Sequence, residues 1–140
     1  MLPIPSFSLH PVHPILVNFT AALIPSSIGS DLTGKVSKRT SLSQPGWWMI
    51  AIAAIVTPLT AAAGLLWKKD VQAVTPPTLL HLHMWLGIGI SVFLILLAIW
   101  RGVIPSRGQF AGTSYIIIAS LLMGALAYQG SLGGLMAFGF

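Results

Sequence analysis

Four histidines are the residues of this chain best equipped for chemistry, and they fall in two pairs. His10 and His13 sit in a His-Pro-Val-His-Pro run, and His81 and His83 are two residues apart. An imidazole titrates near neutral pH and offers a nitrogen lone pair to a metal. Two histidines three apart on a helical turn share a face and can reach one ligand. Two apart, they point to nearly opposite sides, so one of His81 and His83 joins the first pair while the other turns to the interface. Imidazoles from neighbouring helices suit three chemistries. One is axial ligation of a b-type haem, which needs no cysteine. A second is a copper or zinc ion held by His10, His13 and His83, with Asp70 as ligand or hydrogen-bond acceptor. A third is a quinone site or proton relay, in which a histidine exchanges protons with bound quinol. The plain alternative is a set of interfacial histidines, hydrated or bonded to helix-end carbonyls, with the prolines merely starting a helix.

The elements that must position these residues follow from composition. The chain has 140 residues, 55% hydrophobic and only 6% charged, with a mean hydropathy of +0.88. An ordinary globular domain carries roughly 25% charged residues, and so few charges cannot cover a water-facing surface. A soluble enzyme, a disordered chain and a collagen-like chain are excluded, which leaves an integral membrane protein. There is no cysteine, so disulfides, iron–sulfur clusters, covalently attached c-type haem and thiolate metal sites are excluded for this chain. The net charge of +5 is spread between apolar segments without a basic stripe, which argues against nucleic acid and for a topology signal or anionic lipid contact. Residues 1–8 carry no basic side chain, so the first apolar segment reads as a retained span rather than a cleaved leader.

Long apolar runs predict a single domain over residues 1–140, an all-α four-transmembrane-helix bundle with both termini on one side. The spans are expected at about 11–29, 47–67, 79–100 and 113–129, followed by a glycine-rich apolar tail over 130–140. Trp48 and Trp67 read as interfacial anchors of the second span. Pro58 in that span frees the carbonyl of Ala54 and is expected to kink the helix, with Thr57 and Thr60 able to compensate. Thr60 with Gly64 and Ser120 with Gly124 are small-residue pairs that let helices approach closely, and Gly87, Gly89 and Ser91 present a small face suited to a close helix or a flat ligand. Lys35, Lys38, Arg39, Arg101 and Arg107 fall on one side and Lys68 and Lys69 on the other. The positive-inside rule then puts both termini outside the cytoplasm.

Whichever way the bundle faces, spans one and three enter from the same side, so all four histidines gather at one membrane face. Asp70, Tyr128 and Gln129 end or follow spans that exit there, and with His81 they are candidates for supporting hydrogen bonds. At 100° per residue, His13, Thr20, Ser27 and Asp31 fall within about 40° of one another. This polar stripe must face the bundle interior, because an imidazole or carboxylate turned to lipid costs several kcal/mol.

The run His10-Pro-Val-His-Pro-Ile-Leu-Val-Asn-Phe-Thr-Ala-Ala-Leu resembles the N-terminal signature of an uncharacterised bacterial membrane family, domain-of-unknown-function family 2231. Asp31 matches an acid near the end of that family's first span. Gly64 after three alanines, His83-Met-Trp-Leu and Gly133-Gly134 also fit. Thr20 stands where the family usually has proline, and Trp67 where an acid is expected, with Asp70 three residues on. The resemblance implies a four-helix membrane domain, and some relatives are joined to Rieske-type or c-type cytochrome domains. That company implies electron transfer, with His10, His13 and His83 as candidate haem or metal ligands.

The leading expectation is a small redox-associated protein of the bacterial inner membrane. It would hold a b-type haem or metal at the non-cytoplasmic face and exchange electrons with a periplasmic carrier or another membrane subunit. It would be an electron carrier or complex subunit rather than a stand-alone catalyst. The competing expectation is a cofactor-free subunit of a respiratory or photosynthetic complex, contributing helix packing and a lipid or quinone contact. A small transporter is a weaker third, since the only acidic side chains, Asp31 and Asp70, lie at span ends.

Overall fold

The computed structural model of the chain describes residues 12–103 and 110–138, the side chain of Asp70 excepted. Among these residues there are four helices and no strand: α1 Val12–Ser37, α2 Thr40–Val71, α3 Pro77–Val103 and α4 Thr113–Phe138. All four are long and apolar enough to cross a membrane. In hydrocarbon every backbone N–H and C=O must be paired internally, so an apolar run of this length stays helical throughout. The helices run on through their prolines. Pro77 opens α3, where its missing N–H costs nothing, and Pro25, Pro45 and Pro58 lie within continuous helices.

The helices outrun the expected spans. At about 1.5 Å per residue, the 26 residues of α1 reach about 39 Å, against a hydrocarbon core of about 30 Å. Residues 130–138, expected as a glycine-rich tail, continue α4. Lys35 lies within the last turn of α1. That helix ends with Lys38 in the left-handed region at φ 56, while the amide of Arg39 returns to the carbonyl of Gly34 at 3.0 Å. This is a helix-terminating loop usually built on glycine.

Each helix packs against its neighbour in the chain, α1 most extensively against α2, and a slimmer α1–α4 contact closes the ring. α1 and α3 are therefore diagonal and run in the same direction. Ile24, Ile50, Ala53, Leu94, Ala119 and Leu122 fill the centre. Bulky apolar side chains such as Ile55, Leu66, Trp85 and Leu121 point outward, as lipid-facing residues should.

Gly64 meets the His13 ring, as a close approach requires, whereas a side chain at Gly89 or Gly124 would enter open space. Thr57 and Thr60 lie beside Pro58, and the Thr60 hydroxyl donates to the carbonyl of Val56 at 2.8 Å.

Candidate functional site

The polar side chains collect at the two ends of the bundle, and each collection draws on all four helices. At the end where α1 and α3 begin, His13 comes from α1 and His83 from α3. Their ring centroids are 6.4 Å apart across the bundle axis, with the planes at 74°. Nδ1 of His13 lies 2.9 Å from the carbonyl oxygen of Thr60 on α2. Nδ1 of His83 lies 3.2 Å from the carbonyl oxygen of Gln129 on α4. A carbonyl only accepts, so both Nδ1 atoms carry protons and donate. In the neutral ring, each Nε2 is left with its lone pair. The Gln129 side-chain amide donates to Nε2 of His83 at 3.3 Å.

Glycines make room for these rings. A Cβ on Gly64 would stand 2.9 Å from Cε1 of His13, and one on Gly133 would stand 3.2 Å from Cε1 of His83. Gly87 performs the same service for the amide of Gln129, at 3.3 Å. Below His13, the hydroxyl of Thr20 lies 3.3 Å from that of Thr57 and 3.5 Å from that of Thr60, so this part of the stripe is paired across α1 and α2. Trp67, expected as an anchor, packs its ring 6.2 Å from His13. Trp48 is 56% exposed, consistent with an anchoring role.

The expected site residues thus divide. His13, His83 and Gln129 are brought together. His81 is exposed and turned from the pair, and Tyr128 is 54% exposed. His10 and the Asp70 side chain lie outside the described residues, as does Arg107. Among the described residues, no group of three histidines or carboxylates gathers around one point.

At the opposite end, Ser27 and Asp31 complete the buried stripe, and Asp31 meets a partner that composition alone did not suggest. Its Oδ1 accepts from Arg101 Nη2 at 2.8 Å and from the Ser43 hydroxyl at 2.6 Å, and its Oδ2 accepts from Arg101 Nε at 3.3 Å. Arg101 Nη2 also donates to Ser43 at 3.1 Å. The ion pair is enclosed, with side chains 0% and 6% exposed. The Tyr115 ring lies 5.8 Å from the guanidinium carbon, and the Ser27 hydroxyl donates to the carbonyl of Gly46 at 2.7 Å.

Arg101 reads in sequence as one more topology-setting charge at a span end. One signal could have found its role. His83 and Arg101 are eighteen residues apart, as are His13 and Asp31. Eighteen residues are five helical turns, so each helix carries its histidine and its charge on one face.

A family described as "Predicted membrane protein (DUF2231)" matches residues 9–140. No curated protein and no solved structure matches the chain.

Proposed function

Because this chain belongs to the DUF2231 family of predicted membrane proteins, we propose that it serves a membrane redox system by holding a b-type haem or metal ion between His13 and His83. One observation carries the reading: both imidazoles spend Nδ1–H on a backbone carbonyl, which leaves Nε2 as the acceptor nitrogen of each ring. Histidines that bind metals are characteristically oriented by such a second hydrogen bond, which fixes the tautomer and raises the basicity of the ligating nitrogen. The donor set fits haem iron or a transition-metal ion, either of which takes imidazole nitrogen. When bound, the metal would supply a one-electron step. The chain itself orients the two rings, and the glycines beneath them keep the space. Electrons would be exchanged with a partner bearing its own redox centre, a periplasmic carrier or a second membrane subunit. In a bacterial inner membrane, the distribution of basic residues supports an orientation with both termini outside the cytoplasm and the pair toward the non-cytoplasmic side.

The test is the absorption spectrum and metal content of the protein purified from its own membrane. A Soret band with a reduced α-band, or a stoichiometric transition metal, is expected, and either is lost in His13→Ala and in His83→Ala. A colourless, metal-free protein that keeps its stability after both substitutions overturns the reading.

A cofactor-free subunit of a larger complex is the second reading, and the Gln129 amide favours it, because that amide already satisfies Nε2 of His83. Gln129→Leu separates the two. If the amide merely completes the packing, its loss costs about 1 kcal/mol and nothing else changes. If a metal belongs at Nε2, the variant binds it at least as tightly as the parent.

A further inference from the structure

The bundle is built from one pattern used twice, and the histidine pair lies where the two copies meet. Residues seventy apart correspond in α1 and α3. Buried Thr20, Ile24, Ser27 and Asp31 match buried Ile90, Leu94, Leu97 and Arg101, and His13 matches His83. Residues sixty-nine apart correspond in α2 and α4. Buried Gly46, Ile50 and Ala53 match buried Tyr115, Ala119 and Leu122. The site repeats in the same register. His13 donates to the carbonyl of Thr60 and His83 to that of Gln129, which is the equivalent position. The His13 ring lies over Gly64 and the His83 ring over its counterpart, Gly133.

Two like hairpins whose corresponding helices run in the same direction are related by an axis along the bundle. Corresponding residues that touch, as His13 and His83 do, must flank that axis. Anything bound between them meets an imidazole from both sides, each with its Nδ1 on a backbone carbonyl, although His83 alone also has the Gln129 amide beside it. Two metal–nitrogen bonds of about 2.0 Å, with half an imidazole beyond each, span about 6 Å, close to the 6.4 Å between the centroids.

We propose that His13 and His83 are equivalent ligands of a single metal centre on this pseudo-two-fold axis, a centre that takes two imidazole nitrogens and, among the described residues, no third side chain. This rests on the histidine-site reading above and narrows it. Haem iron with two axial histidines satisfies the symmetry, and so does a two-coordinate cuprous ion. Zinc does not, since its sites use three or four protein ligands in a tetrahedron, and a third ligand from one hairpin would break the equivalence.

Haemin alone and Cu(I) alone, each titrated into the full-length protein in detergent, decide the matter, with Zn(II) as comparison. Haemin is expected to give a six-coordinate low-spin spectrum, or Cu(I) one tight equivalent. His13→Asn and His83→Asn, which keep a polar side chain, should lose that signal to the same extent. The double variant should be no worse than either. Added imidazole should restore the six-coordinate spectrum in both single variants. Circular dichroism and the unfolding midpoint confirm that the variants are folded. A loss confined to one histidine, or Zn(II) bound as tightly as Cu(I), overturns the paired centre and leaves the histidine site standing. A parent protein that takes up neither haemin nor Cu(I) overturns both.

Discussion

Arg101→Ala lowers the stability of the bundle by about 3–5 kcal/mol, the cost of breaking a buried ion pair from one side. Asp31 has no exposed surface, and its carboxylate relies on Arg101 and Ser43 for every hydrogen bond the structure gives it. Without the guanidinium it is left charged and enclosed, or must take up a proton. Asp31→Ala strands Arg101 in the same way, with Ser43 and the Tyr115 ring as its remaining company. Replacing both together, as in Asp31→Leu with Arg101→Met, removes both desolvation costs. It should recover most of the loss, because an apolar pair of similar volume often matches a buried ion pair. The measurement is the unfolding midpoint of the four proteins in one detergent. A single variant as stable as the parent would show that the pair is solvated and contributes little.

Gly46→Ala is the second severe change. A Cβ there would stand 2.9 Å from Cγ of Asp31 and 2.9 Å from the carbonyl oxygen of Ser27. The second contact is backbone, so α1 and α2 must move apart, and the first pushes Asp31 away from Arg101. Overpacking typically costs about 1–3 kcal/mol, and the disturbed ion pair adds to it. Gly34→Ala acts through the same seam, its Cβ meeting the amide nitrogen of Ser43 at 2.8 Å. Gly29 is the control, since it lies in the same helix as Gly34 and faces open space. Gly29→Ala should stabilise slightly, by up to about 1 kcal/mol of helix propensity. Equal midpoints for Gly46→Ala and Gly29→Ala would refute the close approach of α1 to α2.

The spans were legible because hydrocarbon imposes a minimum apolar length that polar loops interrupt. Their ends were not, because residues 130–138 combine glycine with apolar side chains, a mixture that serves a loop in water and a helix in lipid. The inward stripe from His13 to Asp31 followed from helical angles, and the gathering of His13 and His83 at one face from the count of spans, since the first and third enter from the same side. The Asp31–Arg101 pair escaped because charge at a span end has two uses, topology and pairing, and composition speaks only of the first. The repeat escaped for a related reason. Apart from the paired histidines and the glycines beneath them, the corresponding core positions share burial rather than identity: Thr20 answers to Ile90, and Asp31 to Arg101.

The contact between Asp31 and Arg101 has an electrical consequence. A transmembrane potential acts on each buried charge with about 2.3 kcal/mol per elementary charge per 100 mV of field crossed. Two opposite charges in hydrogen-bond contact lie at nearly the same depth, so the forces on them cancel. As long as the pair holds, it presents almost no net charge for the field to move, so the potential exerts almost no net force on this part of the bundle. Neutralising one member would make the protein voltage-sensitive.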